Sequence, residues 1–131
     1  MNLIVIRVSG IEFDADAFAQ EHRLAPEISW RAGQPDLVGL LHPHSGFNLT
    51  VADEPTVTQS LAKLRRWIQH NKLALQTLES WGGTAVLDVA LNVSASDQVP
   101  ASVAFSESDL ALFVESNLAL CVTGYPAQDD E

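Results

Sequence analysis

Hydrophobic and polar residues alternate from Leu3 to Ser9, with Ile4, Ile6 and Val8 on one face and Leu3, Val5, Arg7 and Ser9 on the other. That period of two predicts a half-buried strand, ended by Gly10. Asp14 is placed to cap a helix over about 14–22, with Asp16 at the positive end of its dipole. Phe13 and Phe18 have the spacing of a hydrophobic staple, and Phe18 and His22 share a face. Pro26 stops this helix. Residues 27–31 read as a short edge strand, and 36–46 as a connection with a short strand near Leu37–Leu41. Phe47, Leu49 and Val51 alternate with Asn48 and Thr50, which predicts a second one-sided strand. Thr56-Val57-Thr58-Gln59 is a capping box, and the apolar stripe Val57, Leu61, Leu64, Ile68, Leu75, Leu78 follows helical spacing. It predicts helices over about 56–70 and 72–80, divided at Asn71 and ended by Gly82-Gly83. Thr84 to Ser94 alternates again, with Leu87, Val89, Leu91 and Val93 opposite Val86, Asp88, Ala90 and Asn92. A short strand over 102–105 is expected next. Ser106 to Asp109 then caps a helix with Leu110, Phe113 and Val114 on one side. Asn117 suits the left-handed end of that helix, and Leu118 to Tyr125 reads as the last strand, closed by Pro126.

One-sided strands interspersed with amphipathic helices predict an α+β two-layer sandwich, with a mainly antiparallel sheet and helices packed on one face. The opposite face would carry Arg7, Ser9, Asn48, Thr50, Asp88 and Asn92. The length of 131 residues suits a single domain. We assign it to 1–126, followed by an acidic mobile tail at 127–131.

Charge changes this picture. The formal net charge is −10, and nine of the 17 acidic residues but none of the seven basic ones follow residue 78. So acidic a chain is a poor match for nucleic acid, whose binding needs clustered Lys and Arg. No apolar run approaches the ~20 residues of a membrane span. The single cysteine excludes an internal disulfide. The start shows no basic leader, so the expected location is cytoplasmic.

The opening strand ends Val8-Ser9-Gly10 and leads to a helix carrying Asp14 and Asp16. Leu24-Ala25-Pro26, Trp30-Arg31-Ala32-Gly33 and Ser45-Gly46-Phe47-Asn48-Leu49 follow. After these come a capped helix with Ser60-Leu61 and Leu64, and the segment Leu118-Ala119-Leu120-Cys121-Val122-Thr123-Gly124-Tyr125. In this layout the chain resembles the bacterial domain-of-unknown-function family 4279 over about residues 1–125. The resemblance implies a small α+β domain and assigns no activity. Small acidic domains of this type also resemble immunity proteins that neutralise bacterial toxins.

Candidate chemistry is sparse. His42-Pro43-His44 offers two imidazoles but needs a third ligand from His22, His70 or a carboxylate, and a surface loop explains the motif more simply. Cys121 sits between Leu120 and Val122, where a buried, inert thiol is usual. Ser45-Gly46 lacks the flanks of a nucleophile elbow, and Gly82-Gly83 follows a helix where a phosphate loop would open one. No catalytic residue, metal site or cofactor is assigned. Arg7 and Asp88 sit mid-strand on the polar face and can pair across the sheet if their strands are neighbours. Trp67 lies beside the main stripe of the long helix, at the sheet edge or partly exposed. Glu107, Asp109 and Glu115 make an acidic helix surface.

Together these residues predict a non-enzymatic domain that binds a basic protein through Asp88, Glu107, Asp109, Glu115, Arg7 and Trp67, as an immunity-like protein would. One rival is a small enzyme or small-molecule sensor, with His22, Arg7 or Asp88 converging on a pocket between helices and sheet. A second is a homodimer that pairs the half-apolar face of Leu3, Val5, Val86 and Ala90 with its copy.

Overall fold

A computed structural model describes residues 2–93 and 102–126. The tail at 127–131 and the strand end at Ser94 lie outside the described residues. The elements are β1 (Asn2–Gly10), α1 (Ala15–Glu21), β2 (Ile28–Trp30), β3 (Ser45–Asp53) and α2 (Val57–Thr77). A 3-10 turn (Leu78–Trp81), β4 (Thr84–Val93), α3 (Glu107–Glu115) and β5 (Leu118–Pro126) complete the fold. Five strands form one open sheet in the order β2-β3-β1-β4-β5. All neighbours are antiparallel except β4 and β5, which run parallel because α3 carries the chain back along the sheet. This is the α+β sandwich expected from the pattern.

Helices cover one face of the sheet. Ile4, Ile6, Val8, Phe47, Leu49, Leu87 and Val89 point into that layer and are buried against Phe18, Leu61, Leu64, Ile68, Leu75 and Phe113. A bulge in β3 shifts the register between Ile4 and Val5, and both Val51 and Ala52 end up buried. The caps form as their residues dictate. Asp14 accepts from the Ala17 amide at 3.0 Å, and the Phe13 and Phe18 rings of the staple lie 5.7 Å apart. Thr56 and Gln59 close a full capping box, and so do Ser106 and Asp109.

Five local expectations change. Asn71 does not divide the long helix, which is continuous over Val57–Thr77. Its side-chain amide donates to the Trp67 carbonyl one turn back at 2.9 Å, so the polar side chain is satisfied within the helix. Residues 37–41 form a turn and not a strand, and 102–105 have no regular structure. On α3, Phe113 is buried, but Leu110 and Val114 face solvent. Three or four residues of separation put two positions on one helix face only if that face meets the core, and here the buried face is Asp109, Phe113 and Ser116. Cys121 is exposed, because no described element covers the part of the edge strand that carries it.

Candidate functional site

Tertiary structure divides the acidic second half of the chain. Asp109, in the first turn of α3, is held by Arg65 of α2 in a two-pronged contact. Arg65 Nε donates to Oδ1 at 2.6 Å and an Nη2 hydrogen goes to Oδ2 at 2.9 Å. The Ser106 amide adds a third hydrogen bond at 3.0 Å. The carboxylate is 5% exposed. Arg65, first through its hydrogen bond and then through its charge, and the Ser106 amide outweigh burial and hold Asp109 down to about 2. The same contact raises Arg65. Nearly two turns on, Glu115 accepts from Lys72 Nζ at 2.9 Å. Asp109 and Glu115 therefore clamp α3 to α2. Glu107 alone of the three α3 acids remains exposed without an ion-pair partner among the described residues.

Arg7 and Asp88 meet on the uncovered face of the sheet, with Arg7 Nη2 and Asp88 Oδ2 2.9 Å apart. The register sets Arg7 opposite Val86 and Val5 opposite Asp88, so the pair is a diagonal cross-strand contact. Thr123 Oγ1 donates to Asp88 Oδ1 at 3.4 Å, and the Cys121 sulfur lies 3.7 Å from Thr123 Oγ1. A shallow depression of about 170 Å³ surrounds the pair, floored by Leu3, Val5, Ala90 and Tyr125. Trp67 is partly buried against the core on the other side of the sheet. His22 is also on the helical side, its ring 4.6 Å from Phe18 and 6.3 Å from Trp81. The pocket that would have joined His22 to Arg7 and Asp88 therefore does not form, because the sheet separates them. Nor do the six expected partner-binding residues form one patch.

The surface where unburied apolar and acidic groups come together is elsewhere. A groove of about 690 Å³ opens between the β1–α1 connection, α1 and the segment after β2. Glu12, Asp14 and Asp16 line it, with Arg31, Ala32 and Ser45 on its far wall. Arg31 crosses it to Asp16, with Nε 2.9 Å from Oδ2. From that far wall springs an arm, residues 33–42. Backbone bonds tie Gly33 to His42 and His42 to Gln34, each at 2.9 Å, and Pro35 bridges Leu41. Asp36 builds the tip: its Oδ1 accepts from the Val38 and Leu40 amides at 2.9 and 3.0 Å. Gly39 takes the positive φ of +86° that the turn requires. Trp30 stacks on His42 at the base, centroids 6.0 Å apart.

The consequence is that Leu37, Val38, Leu40 and Leu41 are held out at 66–106% exposure. An aliphatic run read as a strand would bury alternate residues, and this turn buries none of them. The signal for the turn was present in the spacing of Asp36 and Gly39, the first and last positions of a four-residue turn closed by the Gly39 amide on the Asp36 carbonyl at 3.1 Å.

Among the described residues, no three His, Cys, Asp or Glu side chains group as a metal site, and no helix is long and apolar enough to cross a membrane. Compared with protein-family models, curated proteins and solved structures, the chain matches none.

Proposed function

We propose that this chain is a non-enzymatic protein-binding domain whose partner is basic, and that it docks through the arm and the acidic groove beside it. The observation that carries this reading is the arm tip, where a hydrogen-bonded turn holds four aliphatic side chains in water. Burying each such side chain in a partner is favourable by roughly 1.5–3 kcal/mol, so a preformed aliphatic tip is a strong anchor. Glu12, Asp14 and Asp16 against the single Arg31 leave the groove net negative. Lys or Arg around the partner's apolar pocket completes the match. Five of the seven basic residues, Arg7, Arg31, Lys63, Arg65 and Lys72, already contact carboxylates of this chain. The surplus of acid therefore acts outward and steers a positively charged protein. An immunity-like role against a basic toxin is the version of this reading that the small size and acidity of the chain favour.

The test is amide-shift mapping of the labelled chain on addition of candidate basic proteins at low and high salt. The expected result is saturable shifts at Ile11–Ala17 and Arg31–Ser45 that weaken with salt. Binding confined to the α2–α3 side, or unchanged by salt, overturns the reading.

A further inference from the structure

We infer that the groove where the C-terminal ends of α2 and α3 meet the start of β4 and β5 binds a small organic cation, an alkylammonium seated by its apolar body with the charge turned to Glu79. The two helices run parallel. Arg65 pairs with Asp109, and Lys72, further along α2, pairs with Glu115, further along α3. Helices with this mutual direction put their negative dipole ends at the same end of the molecule. Neither end is neutralised from within, because no basic residue stands in the last turn of α2 or of α3. Lys72 reaches α3 from its neighbour, but its charge is spent on the Glu115 carboxylate at 2.9 Å.

Between these ends lies a groove of about 500 Å³, a size usual for small-molecule sites. Leu78, which caps α2, is buried at its floor with Ala85 and Leu118. Val114, in the last turn of α3, stands exposed at its rim. Glu79 is the one charged residue in the wall, exposed and without an ion-pair partner among the described residues. Asn117, held at a φ of +58°, adds a side-chain amide beside it. The whole wall comes from residues 78–119, a stretch of chain without Lys or Arg.

Each part of this groove selects the same chemistry. The apolar floor favours a hydrocarbon body, whose burial releases water from both surfaces. The carboxylate and the two negative helix ends favour a positive charge on that body and disfavour a negative one. A primary ammonium carries three donors, enough for Glu79, the Asn117 side-chain oxygen and water. A bare metal ion is a poor match. One carboxylate supplies too few oxygens for calcium or magnesium, and no His or Cys lines the wall for zinc. The groove adjoins β4 and β5, whereas the arm and the acidic groove adjoin β2 and β3, so this site does not depend on the proposed function.

Titration of the labelled full chain with n-hexylammonium chloride, followed by amide shifts, tests the site. The expected result is saturable shifts at Gly83–Ala85 and Val114–Ala119, with a Kd of about 1 mM from a few buried methylenes and one charge contact. Hexanol and hexanoate, of equal length, should bind about tenfold more weakly or worse. Glu79→Gln should weaken the amine by about three- to tenfold and leave hexanol unchanged. Val114→Lys, which sets an ammonium at the rim, should weaken the amine by about tenfold or more. Both residues are exposed, so both variants keep the fold. No saturable shift by about 20 mM, hexanol binding as tightly as the amine, or indifference to Glu79→Gln overturns the inference. So do shifts centred on Ile11–Ala17, which would place the amine in the acidic groove. Tighter binding of the Nα-acetyl methylamide of lysine overturns it too, by assigning the groove to a side chain of another protein.

Discussion

α1 and α3 open in the same way. Each is capped by a short polar side chain, each carries an acid in its first turn, and each acid meets an arginine from another element. The two pairs differ in burial. Asp109 is 5% exposed beside Arg65, and Asp16 is 48% exposed beside Arg31. In the first pair water is largely excluded from the carboxylate, three hydrogen bonds replace it, and the result is a clamp between helices. In the second, water screens both charges, so the acid stays available to an incoming cation. The same residue types therefore hold the fold together at one helix and face a prospective partner at the other.

Substitution of Asp109 separates the two most strongly. Asp109→Ala removes the arginine's partner and half of a capping box, and we expect a loss of about 2–4 kcal/mol in urea unfolding. Arg65 is 40% exposed and can rehydrate, which keeps the cost below that of a fully buried orphan charge. Acid titration reads the same contact in the wild type. The folded value for Asp109, about 2, lies below the unfolded value near 3.9. Its contribution, on the order of 2 kcal/mol, is therefore present above about pH 4–5 and lost as pH falls towards 2. Asp109→Asn should flatten that part of the stability–pH curve, and a curve of unchanged slope would refute the assignment. Arg65→Lys keeps the charge but loses the two-pronged geometry, at an expected cost of about 1 kcal/mol. Asp16→Asn should cost 0–1 kcal/mol, typical of an exposed pair, while weakening salt-dependent binding of a basic partner. The smallest effect on stability is expected for Leu37→Ser with Leu40→Ser, within about 0.5 kcal/mol by thermal melting, because neither side chain is buried. That double variant should nonetheless abolish partner binding. A marked drop in melting temperature would instead make the arm part of the core.

Much of the architecture was legible along the chain. The staple of Phe13 and Phe18 and both capping boxes rest on contacts within a few residues and form as read, and the alternation of β1, and of β4 as far as Val89, follows the period of the sequence. Local rules failed where the outcome depended on what lay alongside. Asn71 can break or join a helix, and the neighbouring turns, free of Gly and Pro, kept it in. Leu37–Leu41 has the composition of a strand, but Asp36 and Gly39 fold it back before any neighbour pairs with it.

The candidate site shows the same division. Covalent order determined the acids, the excess of charge and the one-sided strands, because composition and periodicity are properties of the chain itself. Only the three-dimensional arrangement decided which charges survive at the surface. Arg65 and Lys72 lie more than 40 residues from Asp109 and Glu115, and the packing of α3 on α2 brings them into contact. It likewise decided that Arg7 joins Asp88 across neighbouring strands, and that β2 and β5 form the two edges of the sheet. Electrostatic strength and solvent exposure depend on distance and on the surrounding medium, and the chain acquires both only when it folds.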